Sequence, residues 1–272
     1  MPTGVHAVSG ARGALAAAAL LVACGGPPTP PAASDDVTPP PAGVPFDYQI
    51  GDPYTPDAET RIVSRDREAA PATGLYNICY VNAFQAQPHE LAWWEAEHPD
   101  LLLRRGGEYV VDGGWDEVLL DISTASKRDA LAGVVGGWID GCAAAGFDAV
   151  EPDNLDSHTR AEDLLTPDDA AAFATLLAAR AHAAGLAIAQ KNDTDLAARG
   201  RTIGFDFALS EECARWDECD AYVAAYGLRV LDVEYADDAF AAGCAGWPDL
   251  SIVRRDRDVT APGSAGYRYA AC

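Results

Sequence analysis

The sequence predicts a single-domain (β/α)8 barrel, that is, a TIM barrel of the α/β class. Eight short apolar stretches follow one another between residues 46 and 256, and segments with helical spacing separate several of them. Apolar strands that alternate with helices are typical of parallel βα units. Residues 46–272 suffice for one such barrel, and no second Pro-rich linker divides them. An open doubly wound sheet is the alternative, but the sequence has no GxGxxG turn to support it.

The individual elements follow from apolar runs and from the residues that bound them. In chain order, the predicted strands are 46–51, 60–66, 74–85, 147–153, 186–192, 205–213, 226–236 and 250–256. Residues 130–146 have helical spacing and end on a glycine. The clearest helix is 166–185, because Thr166 is a good N-cap, Pro167 suits the first turn and Gly185 suits the end. Residues 195–200 are also helix-like.

Residues 1–23 are predicted to be a signal peptide of the lipoprotein type. Arg12 precedes an apolar run at 13–23, which is the order found in secretory signals. The run is too short to remain as a membrane span. It ends in LVAC, which resembles the bacterial lipobox, and by that resemblance Cys24 carries the lipid. A plain signal peptide cleaved nearby is the alternative.

Residues 24–45 are rich in proline and are predicted to be an extended tether between the anchor and the domain at 46–272. Several lipid chains on Cys24 would hold the protein firmly, whereas one chain anchors weakly. We therefore expect an exported protein, either lipid-anchored on the outer side of a bacterial membrane or secreted.

Six cysteines remain after Cys24, and an even number in an exported chain predicts three disulfides. They are Cys79, Cys142, Cys213, Cys219, Cys244 and Cys272. Cys213 and Cys219 could close a small loop, but the sequence leaves the pairing open. A zinc site is the alternative, although neither a CxxC pair nor a nearby histidine cluster supports it. No EF-hand-like loop is present either, so we predict neither a metal nor another cofactor.

The chain is strongly acidic, with a formal net charge of -23. Removal of Arg12 with the signal peptide would make the mature protein one unit more negative. Such a surface repels nucleic acid, so we expect no nucleic-acid partner, and it attracts a cationic substrate. Acidic surfaces also simply keep exported proteins soluble, and the charge alone does not separate the two interpretations.

Carboxylates and amides cluster where the predicted strands end. They are Asp66, Asn82, Gln85, Asp153, Asn154, Gln190, Asn192, Glu211, Glu212, Glu234 and Asp256. The C-terminal ends of the strands carry the active site in (β/α)8 barrels. The sequence therefore predicts a polar site at that end of the barrel.

Two of these strands share a pattern that singles out a pair of acids. GFDAVEPD (146–153) and GFDFALSE (204–211) begin alike and place Asp153 and Glu211 at the same offset. If both are strands of one barrel, they are alternate strands, and these two acids lie at the same height. Two carboxylates that face each other across a barrel mouth suit glycoside hydrolysis, with one as nucleophile or base and the other as acid.

At these residues the sequence resembles the endo-α-1,4-polygalactosaminidases of glycoside hydrolase family 114. The resemblance covers nearly all of residues 46–272. It is carried, in order, by DYQIG, YNICYVNAFQAQP, GFDAVEPDNLD, AQKN, GFDFALSEEC, VLDVEY and IVRRDR. It implies a (β/α)8 barrel that hydrolyses internal α-1,4 linkages of galactosamine polymers, with Asp153 and Glu211 in the catalytic positions. The cationic polymer would account for the acidic charge of the protein.

Further residues are predicted to hold the substrate, and the mechanism is expected to retain the anomeric configuration. The candidates for amino and hydroxyl groups are Asp47, Asp66, Asn82, Asn154, Asp156, Gln190, Lys191, Asn192 and Glu234. Tyr48, Tyr80 and Tyr235 could stack on sugar rings, although strand aromatics more often pack in a core. Glu212 is the alternative to Glu211, because a slip of one residue exchanges the two faces of a strand.

Two other functions fit the same sequence. One is a carbohydrate-binding lipoprotein on this barrel that does not turn over its ligand. The other is a barrel hydrolase that acts on a different amino sugar or on an uncharged α-glycan. In each case we expect a monomer.

Overall fold

The computed structural model describes residues 1–4 and 37–272. Eight parallel strands, β1 to β8, lie side by side in chain order in one sheet, and an antiparallel strand β9 extends it. The strands are Phe46–Gln49, Ile62–Asp66, Tyr76–Asn82, Ala149–Asp153, Ala187–Lys191, Phe207–Glu211, Val230–Glu234, Ser251–Arg255 and Tyr269–Ala271. Each of β1 to β8 lies within a predicted strand, and the prediction of an α/β barrel is confirmed. Residues 5–23 of the predicted signal peptide, and Cys24, lie outside the described residues.

The sheet curls into a nearly closed barrel. At the seam between β8 and β1, the Val44 amide donates to Ser251 Oγ at 3.1 Å, and the Tyr269 hydroxyl donates to the Phe46 carbonyl at 3.2 Å. Strand β9 runs along this seam, where it pairs with β8, and Cys272 just after it forms a disulfide with Cys244.

Alternate residues of the strands fill the barrel interior, and the filling changes from apolar to polar toward the C-terminal end. On β4, Ala149 belongs to the apolar interior, whereas Glu151 and Asp153 follow at intervals of two and therefore point the same way. On β5, Ala187 and Ala189 precede Lys191 in the same manner. The packed apolar residues inside the barrel thus support the charged residues at its mouth.

Seven helices surround the barrel. They are α1 Leu91–Glu97, α2 Ala125–Ala145, α3 Pro167–Ala183, α4 Thr194–Ala197, α5 Gly200–Ile203, α6 Cys219–Tyr226 and α7 Asp237–Gly246. Helix α3 begins at the predicted N-cap, where the Thr166 side chain and Asp169 form a reciprocal capping box. Two short 3-10 helices, Pro99–Leu101 and Leu155–Arg160, complete the helical elements of the described residues.

The first two crossovers contain no helix, which departs from a regular (β/α)8 pattern. The links from β1 to β2 and from β2 to β3 are short and contain Pro53, Pro56 and Pro71. A parallel crossover that includes a helix needs a dozen or more residues. The second link, residues 67–75, is too short for a helix, and Pro53 and Pro56 interrupt the first link, residues 50–61.

The third crossover is instead enlarged by an insertion at 83–122. Strand β3 ends at Asn82, earlier than predicted, because the chain turns there and Gln85–Ala86 joins a separate sheet with Glu117–Leu119 and Val111–Asp112. A two-stranded ribbon, Arg104–Arg105 with Glu108–Tyr109, completes the insertion. The insertion brings new side chains to the barrel mouth.

Three disulfides join the six cysteines as predicted. The pairs are Cys79–Cys142, Cys213–Cys219 and Cys244–Cys272, and the second of them closes the small loop that the spacing suggested. The first joins β3 to α2 across 63 residues of sequence, so it constrains the insertion between them.

None of the described helices is both long enough and apolar enough to cross a membrane.

Candidate active site

A cleft of about 510 Å³ opens at the C-terminal end of the barrel. Asp153, at the end of β4, and Glu211, at the end of β6, both line it. Strand β5 lies between these two strands and contributes Lys191 to the same cleft. The structure therefore brings the two acids of the shared pattern together around one cation.

Lys191 is the centre of this arrangement. Its ammonium lies 2.9 Å from Asp153 Oδ1, 3.0 Å from Glu151 Oε1 and 3.5 Å from Glu211 Oε2. It also donates to the Tyr48 hydroxyl at 3.1 Å. Its side chain is almost entirely buried. Burial disfavours the ammonium form, but the three carboxylates outweigh this and raise the pKa of Lys191 well above its usual value. The cation is therefore a fixed part of the site.

Asp153 is held as a carboxylate. The Tyr80 hydroxyl donates to its Oδ2 at 2.7 Å, and the Asn154 amide donates to its Oδ1 at 2.8 Å. Burial alone would raise its pKa, but the Lys191 charge and these hydrogen bonds hold the pKa of Asp153 below its usual range. An ionised carboxylate with a fixed orientation can act as a nucleophile.

Glu211 is the more accessible member of the pair, with 28% of its side chain exposed against 16% for Asp153. Asn192 Nδ2 donates to Glu211 Oε2 at 3.2 Å, while its Oδ1 accepts from the Glu211 backbone amide at 2.8 Å. The Tyr235 hydroxyl donates to Glu211 Oε1. The guanidinium of Arg257 lies 4.7 Å from the centre of the Tyr235 ring. The neighbouring strands therefore fix the carboxyl group at the edge of the cleft.

Beneath the pair lies a third carboxyl group, Glu151. It is fully buried and accepts hydrogen bonds of 2.7 Å from Tyr48 and from Ser64. Burial is the main cause that raises the pKa of Glu151, and the Lys191 charge opposes it. Glu151 was not among the predicted site residues, although its place two residues before Asp153 on the same strand face could have indicated it.

The insertion forms one wall of the cleft and supplies Asp112, Trp115 and Glu117. None of them was predicted, because the sequence gives no sign that this segment folds back over the barrel mouth. Asn82 Nδ2 donates to Glu117 Oε2 at 2.8 Å. Arg160, from the 3-10 helix after β4, forms ion pairs with Asp112 at 2.8 Å and with Asp156 at 2.9 Å.

The chain matches the model of glycoside-hydrolase family GH114 over residues 26–272. It belongs to this family. The structural comparisons agree with the match. A crystal structure of Ega3 from Aspergillus fumigatus in complex with galactosamine aligns with a TM-score of 0.68 and 22% identity over 88% of this chain and 100% of that one.

The glycoside hydrolase domain of PelA from Pseudomonas aeruginosa aligns with a TM-score of 0.55 and 13% identity, over 83% of this chain and 99% of that one. No curated protein sequence is significantly similar to the chain. At these identities the alignments show a common fold, and the GH114 match shows that the protein is a glycoside hydrolase.

Several of the predicted binding residues of this GH114 hydrolase line the cleft, and others do not. Those in the cleft are Tyr48, Tyr80, Asn154, Asp156, Lys191, Asn192 and Tyr235. Their polar groups mostly contact the acids rather than face open space. The Tyr48, Tyr80 and Tyr235 hydroxyls each donate to a carboxylate. Trp115, with 54% exposure, instead offers an open ring for a sugar.

The remaining candidates lie behind the cleft or beside it. Asp47 is buried against Gln49, Tyr54 and Arg255. The Gln190 side chain bonds to the Tyr226 hydroxyl and to the backbone carbonyls of 192 and 193, on the outer face of β5. These groups are engaged within the protein, so their positions do not support the predicted contact with substrate.

Asn82, Glu234 and Asp66 also lie outside the lining of the cleft. Asn82 supports Glu117 and Asn154 from below. Glu234 is buried on the outer face of β7 and accepts from the Ala214 amide at 2.9 Å. Asp66 lies in a neighbouring depression, where burial raises its pKa.

Glu212 points away from the cleft. Its backbone has a positive φ of 60°, and its carboxylate pairs with Arg257 at 2.8 Å and Arg215 at 3.2 Å. Of the two neighbouring glutamates, Glu211 is therefore the one that faces Asp153 and Lys191.

Proposed function

We propose that the chain is an exported hydrolase that cleaves internal α-1,4 linkages of galactosamine-containing polysaccharide. Asp153 is the nucleophile, and Glu211 is the general acid and base. The observation that carries this proposal is the contact of both carboxylates with the single buried ammonium of Lys191 at the barrel mouth.

In the first step, Asp153 attacks the anomeric carbon while Glu211 protonates the oxygen of the departing sugar. The low pKa of Asp153 keeps it ionised for this attack. In the second step, Glu211 takes a proton from water, which releases the sugar from Asp153. The greater exposure of Glu211 suits a group that meets both the leaving sugar and the incoming water.

Retention of configuration is supported by the spacing of the two acids. Asp153 Oδ1 and Glu211 Oε2 lie 2.9 and 3.5 Å from the same nitrogen, so their separation cannot exceed the sum of these distances. That upper limit is just below the range of about 6.5–9.5 Å that is typical of inverting pairs. This limit on one pair of oxygens favours the closer spacing that is typical of retaining enzymes.

A cationic amino-sugar polymer suits the chemistry of the protein. The net charge of -23 raises the local concentration of such a polymer and its rate of encounter. The galactosamine named for Ega3 is consistent with this substrate class. A hydrolase of another α-glycan is the alternative.

A substrate panel tests the proposal. We expect purified protein to release reducing ends from deacetylated α-1,4-galactosamine polymer and to give internal cleavage products. Glucosamine polymers and uncharged α-glucans serve as controls. Binding of the galactosamine polymer without any release of reducing ends would contradict its cleavage by this protein, and faster cleavage of an α-glucan would support the other hydrolase.

Export and anchoring are tested separately at Cys24. The three disulfides of the folded domain suit an oxidising compartment. In a bacterial host, the Cys24→Ala variant should move from the membrane fraction to the soluble fraction, because the site of acylation is lost. A variant that still sediments with membranes would contradict the lipid anchor, and wild-type protein that stays in the cytoplasm would contradict export.

A further inference from the structure

The acids that line the cleft differ in whether the protein provides them with a cation. Asp153 and Glu211 share Lys191, and Asp112 and Asp156 share Arg160. In the described part of the chain, the two other lining acids, Glu117 and Asp258, have no basic group within ion-pair distance. Asp258 is exposed, and water screens its charge.

Glu117 is different because it is buried. Only 8% of the residue is exposed, although it lines the cleft. Its Oε2 accepts from the side-chain amides of Asn82 at 2.8 Å and Asn154 at 3.4 Å. Among the described residues, none donates a hydrogen bond to its Oε1. A largely buried carboxylate that has only neutral protein partners and one oxygen open to the cleft favours a ligand that supplies a positive charge.

The position of Glu117 relative to Asp153 indicates which part of a sugar it would meet. Asn154 connects the two, since its backbone amide donates to Asp153 and its side chain to Glu117. In a 2-amino sugar, the nitrogen is attached to the carbon next to the anomeric centre. When Asp153 faces the anomeric carbon, an amino group turned toward Asn154 would therefore meet the wall that contains Glu117.

We infer that Glu117 is the specificity-determining residue that accepts the 2-ammonium group of the sugar bound next to Asp153. The inference rests on the proposed function and adds to it the residue that distinguishes a free amine from an acetamide. An N-acetylated sugar has no positive charge to offer and places a larger, neutral group against the same wall. The carboxylate of Glu117 would then stay unpaired.

This role predicts a dependence on pH. The pKa of Glu117 is raised to about 7, mainly by burial. The hydrogen bond from Asn82 lowers the pKa, and the negative charges of Asp153 and Asp112 raise it. The positive charge of Arg160 lowers the pKa. Below this pH Glu117 is neutral. The affinity for a sugar ammonium should therefore rise as the pH increases through about 7, for as long as the amine stays protonated.

The test compares Glu117→Gln with the wild type on deacetylated and N-acetylated galactosamine oligomers. Binding is measured by calorimetry, and turnover by release of reducing ends. A lost hydrogen bond to a charged group should weaken binding of the deacetylated oligomer by about 10- to 100-fold. Binding of the acetylated oligomer should change little, and the rise in affinity through about pH 7 should disappear. Glu117→Asp, which keeps the charge, should retain more of the preference than Glu117→Gln.

Glu97→Gln is the matched control, because Glu97 is an exposed acid of the same insertion and the same charge is removed. It should leave the preference and its pH dependence as they are in the wild type. An equal loss on both oligomers in Glu117→Gln, with an unchanged pH profile, would show that Glu117 only supports the wall. If the wild type binds the deacetylated oligomer with this preference but cleaves nothing, the proposed hydrolysis fails while the role of Glu117 stands. If it binds neither oligomer, the inference is overturned as well.

Discussion

The Asp153→Asn and Glu211→Gln variants should each lose hydrolysis by at least about 10³-fold while the fold is retained. Each change keeps the shape of the side chain and removes the ionisable group. In the proposed mechanism, Asp153 stabilises positive charge at the anomeric carbon and Glu211 supplies a proton, mainly in the transition state, so the loss should appear in kcat. Initial rates on deacetylated galactosamine polymer measure it, with circular dichroism as the test of folding.

Glu212→Gln is the matched control for this prediction. It makes the same chemical change one residue along the chain, in a carboxylate that does not line the cleft and that pairs with Arg215 and Arg257. It should retain most of the activity. Near-normal turnover in Glu211→Gln together with an inactive Glu212→Gln would mean that Glu212, and not Glu211, faces the cleft. Near-normal turnover in Asp153→Asn would mean that Asp153 is not the nucleophile.

The stereochemistry of the wild-type reaction is a second, independent check on the pair. NMR of the first product should show the α-anomer, because two displacements at one carbon restore its configuration. The β-anomer as the first product would require water to attack directly, and Asp153 would then be a base rather than a nucleophile.

The Lys191→Met variant should lose both stability and activity. Methionine has a similar length but no charge, so Glu151, Asp153 and Glu211 would be left without their shared cation. Removal of one partner from a buried ion pair typically costs about 3–5 kcal/mol in the free energy of unfolding. We expect kcat to fall by at least about 100-fold, because the orientation and the ionisation of Asp153 both depend on Lys191.

The pH profile separates this electrostatic role from a purely structural one. In the wild type, the pKa of Asp153 lies below the ordinary carboxyl pKa of about 4. The charge of Asp153 therefore stabilises the fold at pH values above about 4. This contribution is lost as the pH falls through the lower pKa that Asp153 has in the folded protein. Without Lys191 the pKa of Asp153 should rise. The acid limb of kcat/KM should then move to higher pH.

The chain contains only one other lysine, Lys127, which serves as the control. Lys127 is one-third exposed and pairs with Asp121 at the start of α2, away from the cleft. Lys127→Met should change the free energy of unfolding by no more than about 1 kcal/mol and leave the pH profile in place. An acid limb that does not move in Lys191→Met would contradict the electrostatic role of Lys191, whatever its effect on stability.

The barrel and its acid pair could be predicted because their signals are local. Each strand is a short apolar run, since both faces of a barrel strand are buried, and such runs are visible without any knowledge of their neighbours. The repeated GFD pattern put Asp153 and Glu211 at one offset on alternate strands, and the structure brings both to Lys191. The number of cysteines likewise predicted three disulfides, although their pairing required the fold.

What the sequence could not provide is the direction and the partner of each polar side chain. Gln190 and Lys191 are neighbours in one motif, yet alternation along β5 turns Lys191 into the cleft and Gln190 toward Tyr226. Glu234 lies at the C-terminal end of its strand, as active-site residues do, whereas Asp47 lies near the start of β1. Both face away from the cleft and are bonded within the protein.

By itself, the sequence determined the fold class, the three disulfides and the two acids at the barrel mouth, because these depend on periodicity, residue number and offset within strands. The tertiary structure alone decided that the insertion at 83–122 folds over the mouth and contributes Trp115 and Glu117. It also decided that a single buried lysine serves three carboxylates. These features depend on contacts between residues far apart in the chain, and neither hydrophobic periodicity nor residue spacing encodes which distant groups meet.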